Sequence, residues 1–425
     1  MEDIKVLRRD FHKIAEPGWM EVQTTIKIIK YLKDLGFDLL YGKKIHGQRL
    51  GLGDKSLLDA YVKSLDLEDI DFDISEILQG YTGCVGIFDT GRPGPVTGLR
   101  TDIDALNFEE SKDKNHRPNK EDFRSQNSFA VHACGHDGHI AIALKTCQKI
   151  VETKDLLCGK FVAIFQPAEE GVRGGLSMKD LDLLSKLDYI LAGHLGMGLE
   201  SGVLGVGTEK ILASQSYDID LFGRAAHAGM APEEGRSAIL GAAALTLGLH
   251  SLCQYKNSSR VNVGVLSGGT GRNVVAPKAS MKVEIRADNN DDIKDLAKRL
   301  KAMVDGTAKA YELTYDLRPV GYSQSFSTKY QDFVDQCGTY LKARGFKVLL
   351  RPEFNASEDV SIFLNKVEEN GGRAIHFIFG SDLKAGHHKE SFDFDEGSLT
   401  MAVDVYVAMI EKLNSLNFRL ETIYL

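Results

Sequence analysis

No Cys-x-x-Cys pair occurs in this chain; its six cysteines (Cys84, Cys134, Cys147, Cys158, Cys253, Cys337) are scattered over 425 residues. That scatter excludes a short disulfide-stapled secreted framework. No apolar run reaches the length of a membrane span, and the start, Met1-Glu2-Asp3-Ile4, lacks a basic region followed by an apolar one. Basic stretches interleaved with aromatics are missing too, and the net charge of −8 argues against nucleic acid as a partner. Neither internal repeats nor low-complexity segments are present. These absences leave a soluble, cytoplasmic protein as the expectation. What is present, 43% hydrophobic and 26% charged residues, can bury a core and stay dissolved. The length predicts two domains.

Apolar residues at helical spacing predict a helix over Ile4–Ile14, broken by Pro17-Gly18, and a second from about Glu21 to a stop at Gly36. The charged segment 43–79, with irregular apolar spacing, reads as a helical insertion. From Gly83 the texture alternates: strands at Cys84–Phe88, Val96–Arg100, Phe161–Phe165 and Tyr189–Ala192, with helices after His139 and over Leu181–Leu187. Such alternation predicts a largely parallel sheet, with ligands beyond the carboxyl ends of its strands. Three of those ends deliver Asp102 and Asp104, Glu169 and Glu170, and His194. The next block predicts strand, helix, two strands, helix and strand, a split β-α-β-β-α-β of about one hundred residues. Helices and strands then resume to the end of the chain. The resulting division is a discontinuous domain, 1–212 with 322–425, interrupted by an inserted domain at 213–321.

The run His132-Ala133-Cys134-Gly135-His136-Asp137-Gly138-His139 concentrates imidazole, thiol and carboxylate groups around glycines that let the backbone turn. Cys134 and His136 supply ligands suited to zinc and its neighbours. With Glu169, Glu170, His194 and His388 there are more donors than one ion uses, which predicts a metal pair sharing a bridging ligand. Such a pair lowers the pKa of an intervening water towards ~7. One carboxylate must then stay unligated to move a proton. Asp102 and Asp104 either orient histidine ligands or cap the loop. His12, His46, His116, His250 and His376 show no convergent partners in the sequence.

Taken with Phe165-Gln166-Pro167-Ala168-Glu169-Glu170-Gly171, Gly193-His194 and the run from Gly268 to Val275, these motifs resemble the M20 peptidase family. Cys-Gly-His-Asp-Gly-His is similar to its branch of aminoacylases, hippurate hydrolases and indoleacetyl-amino-acid hydrolases. Four further segments resemble a subgroup that cleaves amides joining an aromatic acyl group to glutamate. They are Arg8–His12, Asp89–Val96, His116-Arg117-Pro118, and Gly386-His387-His388 through Phe392–Glu396.

The resemblance implies an α/β fold: a mostly parallel-sheet, zinc-peptidase-like catalytic domain with an inserted ferredoxin-like dimerisation or lid domain. By resemblance the metal ligands are Cys134 (bridging), His136, Glu170, His194 and His388, the last preferred over its neighbour His387. Glu169 matches the general base, and His227 a histidine that stabilises the oxyanion in the neighbouring subunit's site. Asn273 matches a substrate contact; Arg318, from placement alone, is a candidate for the substrate carboxylate. Two divalent ions per subunit are implied. The ligand set tolerates zinc, manganese or cobalt, and the resemblance tilts towards manganese. The implied partners are a small-molecule N-acyl-glutamate substrate and either a second copy or a related B subunit. Two other readings share these residues: an N-acyl-amino-acid or hippurate-type hydrolase, and a non-catalytic partner subunit.

Overall fold

Asp3 accepts a hydrogen bond from the Lys5 amide and so opens helix α1 (Ile4–Lys13), which buries Leu7 and Phe11. In the computed structural model, residues 3–255 and 259–416 are described. The elements that follow are α2 (Val22–Asp34), β1 (Asp38–Tyr41), α3 (Lys55–Ser64), β2 (Cys84–Asp89), β3 (Val96–Asp102) and α4 (Arg117–Lys120). Then come α5 (His136–Glu152), β4 (Lys160–Gln166), α6 (Gly175–Met178), β5 (Tyr189–Leu195) and β6 (Val203–Val206). A second block holds β7 (Ala213–Phe222), α7 (Ala238–Ser251), β8 (Arg260–Gly268), β9 (Lys278–Ala287), α8 (Asn290–Ala310) and β10 (Thr314–Ser323). The chain closes with α9 (Gln331–Ala343), β11 (Lys347–Leu350), α10 (Val360–Glu369), β12 (Arg373–Phe379) and α11 (Gly397–Leu413).

Two compact units result. Among the described residues, one contains those up to Glu209, Ser327–Phe354 and those from Asp359; the other draws on Lys210–Phe326 and Asn355–Glu358. The first is built on an eight-stranded sheet in the order β1-β2-β4-β3-β5-β12-β6-β11. Its central strands β4, β3, β5 and β12 run parallel. β1 and β2 join antiparallel at one edge, and β6 pairs antiparallel with β12. The central strands are buried along nearly their whole length, as strands covered on both faces must be. Helix α5 packs against α1, α11 and β3.

The second unit is a four-stranded antiparallel sheet, β10-β7-β9-β8. One face buries Tyr217, Ile219 and Leu221 of β7 with Leu245 of α7 and Leu300 of α8. This is the split β-α-β-β-α-β arrangement. β10 runs six residues past the expected end at Leu317, with a bulge between Pro319 and Gly321. An edge strand tolerates a proline because the missing donor has no ladder partner to serve.

Some expectations need correction. Segment 43–79 is mostly loop and short turns: α3 is its one α-helix among the described residues, and only Tyr61 of that helix is buried. Within the expected helix Leu181–Leu187, only Asp182–Lys186 winds, as a tight 3-10 turn and not an α-helix. β1 and β6 were not expected. At four residues each they are too short to display a period, and pairing with longer neighbours makes them strands. No helix among the described residues is long and apolar enough to cross a membrane.

Candidate metal centre

β3 lies between β4 and β5, so the three polar strand ends are adjacent, and Asp102 pairs in register with Gln166. Gly135, at φ +93°, turns the backbone into α5 so that His136 is the helix's first residue. A Cβ on Gly138 would come within 2.7 Å of both Leu195 and Phe394, so glycine alone lets this helix end sit against β5.

Each histidine's role follows from where its other nitrogen goes. His136 Nδ1 lies 2.9 Å from the Asp104 carbonyl, which can only accept, so the proton sits on Nδ1. Its Nε2 is buried and has no partner. His194 Nδ1 likewise donates to the Leu195 carbonyl at 2.8 Å, leaving Nε2 3.5 Å from Cys134 Sγ. His139, by contrast, has both nitrogens committed: Nδ1 to Asp102 at 2.6 Å, and Nε2 accepting from the Leu195 amide at 3.0 Å. It braces β5 and has no lone pair left for a cation.

Two donor groups meet at the thiol. Cys134, His136 and His194 form one; Cys134, Glu170 and His388 form the other, with ligand atoms of each group within 4.8 Å of one another. His388, at φ +63°, is held by its amide on the Ala133 carbonyl at 2.8 Å and puts Nε2 3.5 Å from Glu170. Its neighbour His387 turns Nδ1 towards Cys134 at 3.7 Å, and its Nε2 is buried without a partner. Glu170 Oε1 is a further buried oxygen without a partner. Leaving the His136 and Glu170 atoms unmet costs about 1–3 kcal/mol each, which a bound cation removes. The donor set thus fits divalent metal.

Electrostatics agree. Burial keeps His194 well below the usual imidazole value, with its lone pair free. Burial also pushes the Cys134 thiol up and Glu170 to about 7. His136 is raised despite its burial, because Asp102 and Asp104 make the local field negative. A cation reverses the penalty on thiolate and carboxylate.

Asp102 and Asp104 divide the work. Asp102 binds His139 and Arg100; the Asp104 carboxylate accepts from the Glu169 amide at 3.0 Å and the Glu170 amide at 2.9 Å. Asp104 therefore orients His136 through its carbonyl and caps the acidic loop through its side chain. Glu21, which the sequence did not single out, accepts from the Ala168 amide at 2.7 Å and from Thr82 at 2.6 Å. Ala168 itself sits at φ +53°, a conformation disfavoured without a glycine. No spacing in the sequence marks Glu21; only the fold carries α2 to this loop.

His12 and His116 do have convergent partners. His12 bonds Asp137 at 2.7 Å and Glu110 at 3.1 Å, and His116 bonds the same Glu110 at 2.9 Å. Arg8 pairs with Asp137, Asp393 and Glu396; Arg9 and Arg117 pair with Glu396, and Arg117 also with Asp393. These residues form one buried ionic network beneath the metal loop. Burial alone would lower His12, but its bonds to Asp137 and Glu110 raise it above the usual value. The stability this contributes is complete below about pH 6.5 and is lost as pH rises through the folded-state value. His12→Asn is therefore expected to cost more stability at pH 6 than at pH 9 in urea unfolding. Equal costs at the two pH values would remove the charge from this account.

In the second unit His227 is exposed, and its Nδ1 accepts from the amides of Gly229 at 3.2 Å and Met230 at 3.1 Å. With Nδ1 accepting, Nε2 is the ring nitrogen that carries the N–H donor. The Asn273 carbonyl accepts from the Ala228 amide at 3.0 Å, which brings these two expected site residues together. Arg318 is engaged by Asp220 at 2.8 Å and by Asp316. Two carboxylates already meet its charge, which speaks against the expected part in binding a substrate carboxylate.

A parallel sheet that gathers thiol, imidazole and carboxylate donors around one loop, with a glutamate beside them, defines a metal-dependent hydrolase. Residues 98–412 match the family model described as peptidase family M20/M25/M40. The chain belongs to that family, whose members hydrolyse amide bonds. It is 36% identical to a Haemophilus influenzae homolog of one of the subunits of p-aminobenzoyl-glutamate hydrolase, covering 96% of this chain and 97% of that one. It is 38% identical to an indole-3-acetyl-aspartic acid hydrolase of Enterobacter agglomerans, covering 97% and 94%. Among solved structures, an aminobenzoyl-glutamate utilization protein from Klebsiella pneumoniae superposes with a TM-score of 0.80 at 32% identity, covering 96% and 94%.

Proposed function

We propose that this chain is a two-metal amidohydrolase that cleaves p-aminobenzoyl-glutamate to p-aminobenzoate and glutamate. The observation that carries the reading is the meeting of Cys134, His136, Glu170, His194 and His388 around one thiol, with Glu169 on the same loop. The names of the two relatives support the substrate class: each specifies an amide between an aromatic acyl group and an acidic amino acid.

In this reading Cys134, His136, Glu170, His194 and His388 would hold two divalent cations, manganese or zinc. When bound, such a pair acidifies a water and polarises the substrate carbonyl. Glu169 takes the water's proton on its carboxylate and delivers it to the amine nitrogen as the C–N bond breaks. His227 donates from Nε2 to the carbonyl oxygen as negative charge builds, serving the neighbouring subunit of a homodimer or of a heteromer with a related B subunit. Asn273 contacts the substrate.

The test is an assay of the purified chain on p-aminobenzoyl-glutamate after chelation, with manganese or zinc restored. Hydrolysis is expected only with metal. A metal-loaded chain that is silent alone but active with a second subunit favours the partner role. Faster cleavage of hippurate or N-acetyl amino acids favours the broader hydrolase.

A further inference from the structure

Beside the Glu169–Glu170 loop lies a cleft of about 480 Å³ that the chemistry above leaves unused. Trp19, Tyr81, Arg49 and Arg173 line it, together with the start of α3. It abuts the acidic loop directly. Arg173 Nε donates to the Glu170 carbonyl at 2.8 Å, and its Nη1 to the Gly51 carbonyl at 3.2 Å. A Cβ on Gly18, in the cleft wall, would lie 2.9 Å from Ala168 Cα.

Two guanidinium groups set the cleft's charge. Arg49 stacks 3.6 Å over the Tyr81 ring and donates to the Gly80 carbonyl at 2.7 Å. Neither Arg49 nor Arg173 forms an ion pair with a described residue, in contrast to Arg318. A half-buried guanidinium bonded to carbonyls keeps its full charge, and its planar fork suits a carboxylate. Lys55 adds a third cation at the rim. Asp54, the one carboxylate in the lining, is turned back to cap α3 through the Ser56 amide at 2.8 Å.

We infer that this cleft is the subsite for the side-chain carboxylate of the amino acid released from the substrate, with Arg49 and Arg173 as its ligands. The inference rests on the amidohydrolase reading and adds to it the residues that select an acidic leaving group. The 43–79 segment thereby gains a purpose: it supplies Arg49 and one wall.

The test compares wild type and Arg49→Gln, both loaded with manganese or zinc, on p-aminobenzoyl-glutamate and p-aminobenzoyl-glutamine. The two substrates differ only in that side-chain carboxylate. Wild type is expected to prefer the glutamate by about 30-fold or more in kcat/KM. Arg49→Gln is expected to shrink that preference below about threefold, through a raised KM for the glutamate substrate with kcat nearly kept. Arg49→Lys, which keeps the charge, is expected to recover part of it. An undiminished preference in Arg49→Gln overturns the assignment while leaving hydrolysis intact. If wild type cleaves neither substrate, the amidohydrolase reading fails instead, and calorimetric binding of glutarate judges the cleft. Affinity about tenfold weaker in Arg49→Gln then upholds the subsite, and equal affinity overturns it.

Discussion

Turnover of p-aminobenzoyl-glutamate is expected to fall by about 10³-fold or more when Glu169 becomes glutamine, with bound metal staying at the wild-type level. Glutamine keeps the shape of the side chain but cannot take a proton from water. The loop has reason to stay in place, because its backbone is held from outside. Asp104 accepts from the amides of residues 169 and 170, and Glu21 from that of Ala168. Steady-state kinetics and elemental analysis of the same preparation check the result. A residual rate within tenfold of wild type removes Glu169 from the base role; a loss of metal makes it a ligand instead.

Cys134→Ala should strip the site. Its sulfur is common to both donor groups, so one truncation weakens both cations, leaving His136 with His194 on one side and Glu170 with His388 on the other. Metal content is expected to fall below one ion per chain, and kcat/KM by about 100-fold or more, since losing even an indirect support of a metal site costs about 10–100-fold. Metal binding also stabilises the fold that presents its ligands, so the variant's melting point should approach that of chelated wild type. Cys134→Asp, whose carboxylate can bridge two ions, should keep more metal than the alanine variant. Unchanged metal stoichiometry in Cys134→Ala would count decisively against a bridging thiolate.

The legibility of this site in the sequence depended on how local each signal was. Gly135 and Gly138 stand within the metal loop, and the strands before Glu169 and His194 are continuous apolar runs. Period and motif therefore reported the sheet and the strand ends together. His139 stands in the same run but outside the donor set, because Asp102 and the Leu195 amide occupy both its nitrogens. His12 and His116 have partners the sequence did not single out: Glu110 and Asp137 reach His12 from far along the chain, and His116 shares the nearby Glu110. The strands β1 and β6 were too short for a period to appear.

What the sequence determined by itself is the chemistry on offer and the order of elements carrying it, because donor identity and hydrophobic period are properties of neighbouring residues. Only the tertiary structure decided which lone pairs stay free. That depends on partners brought in from distant segments: the Asp104 carbonyl that turns His136 outward, Glu21 beneath Ala168, and the two carboxylates that claim Arg318 while Arg49 and Arg173 keep their charge.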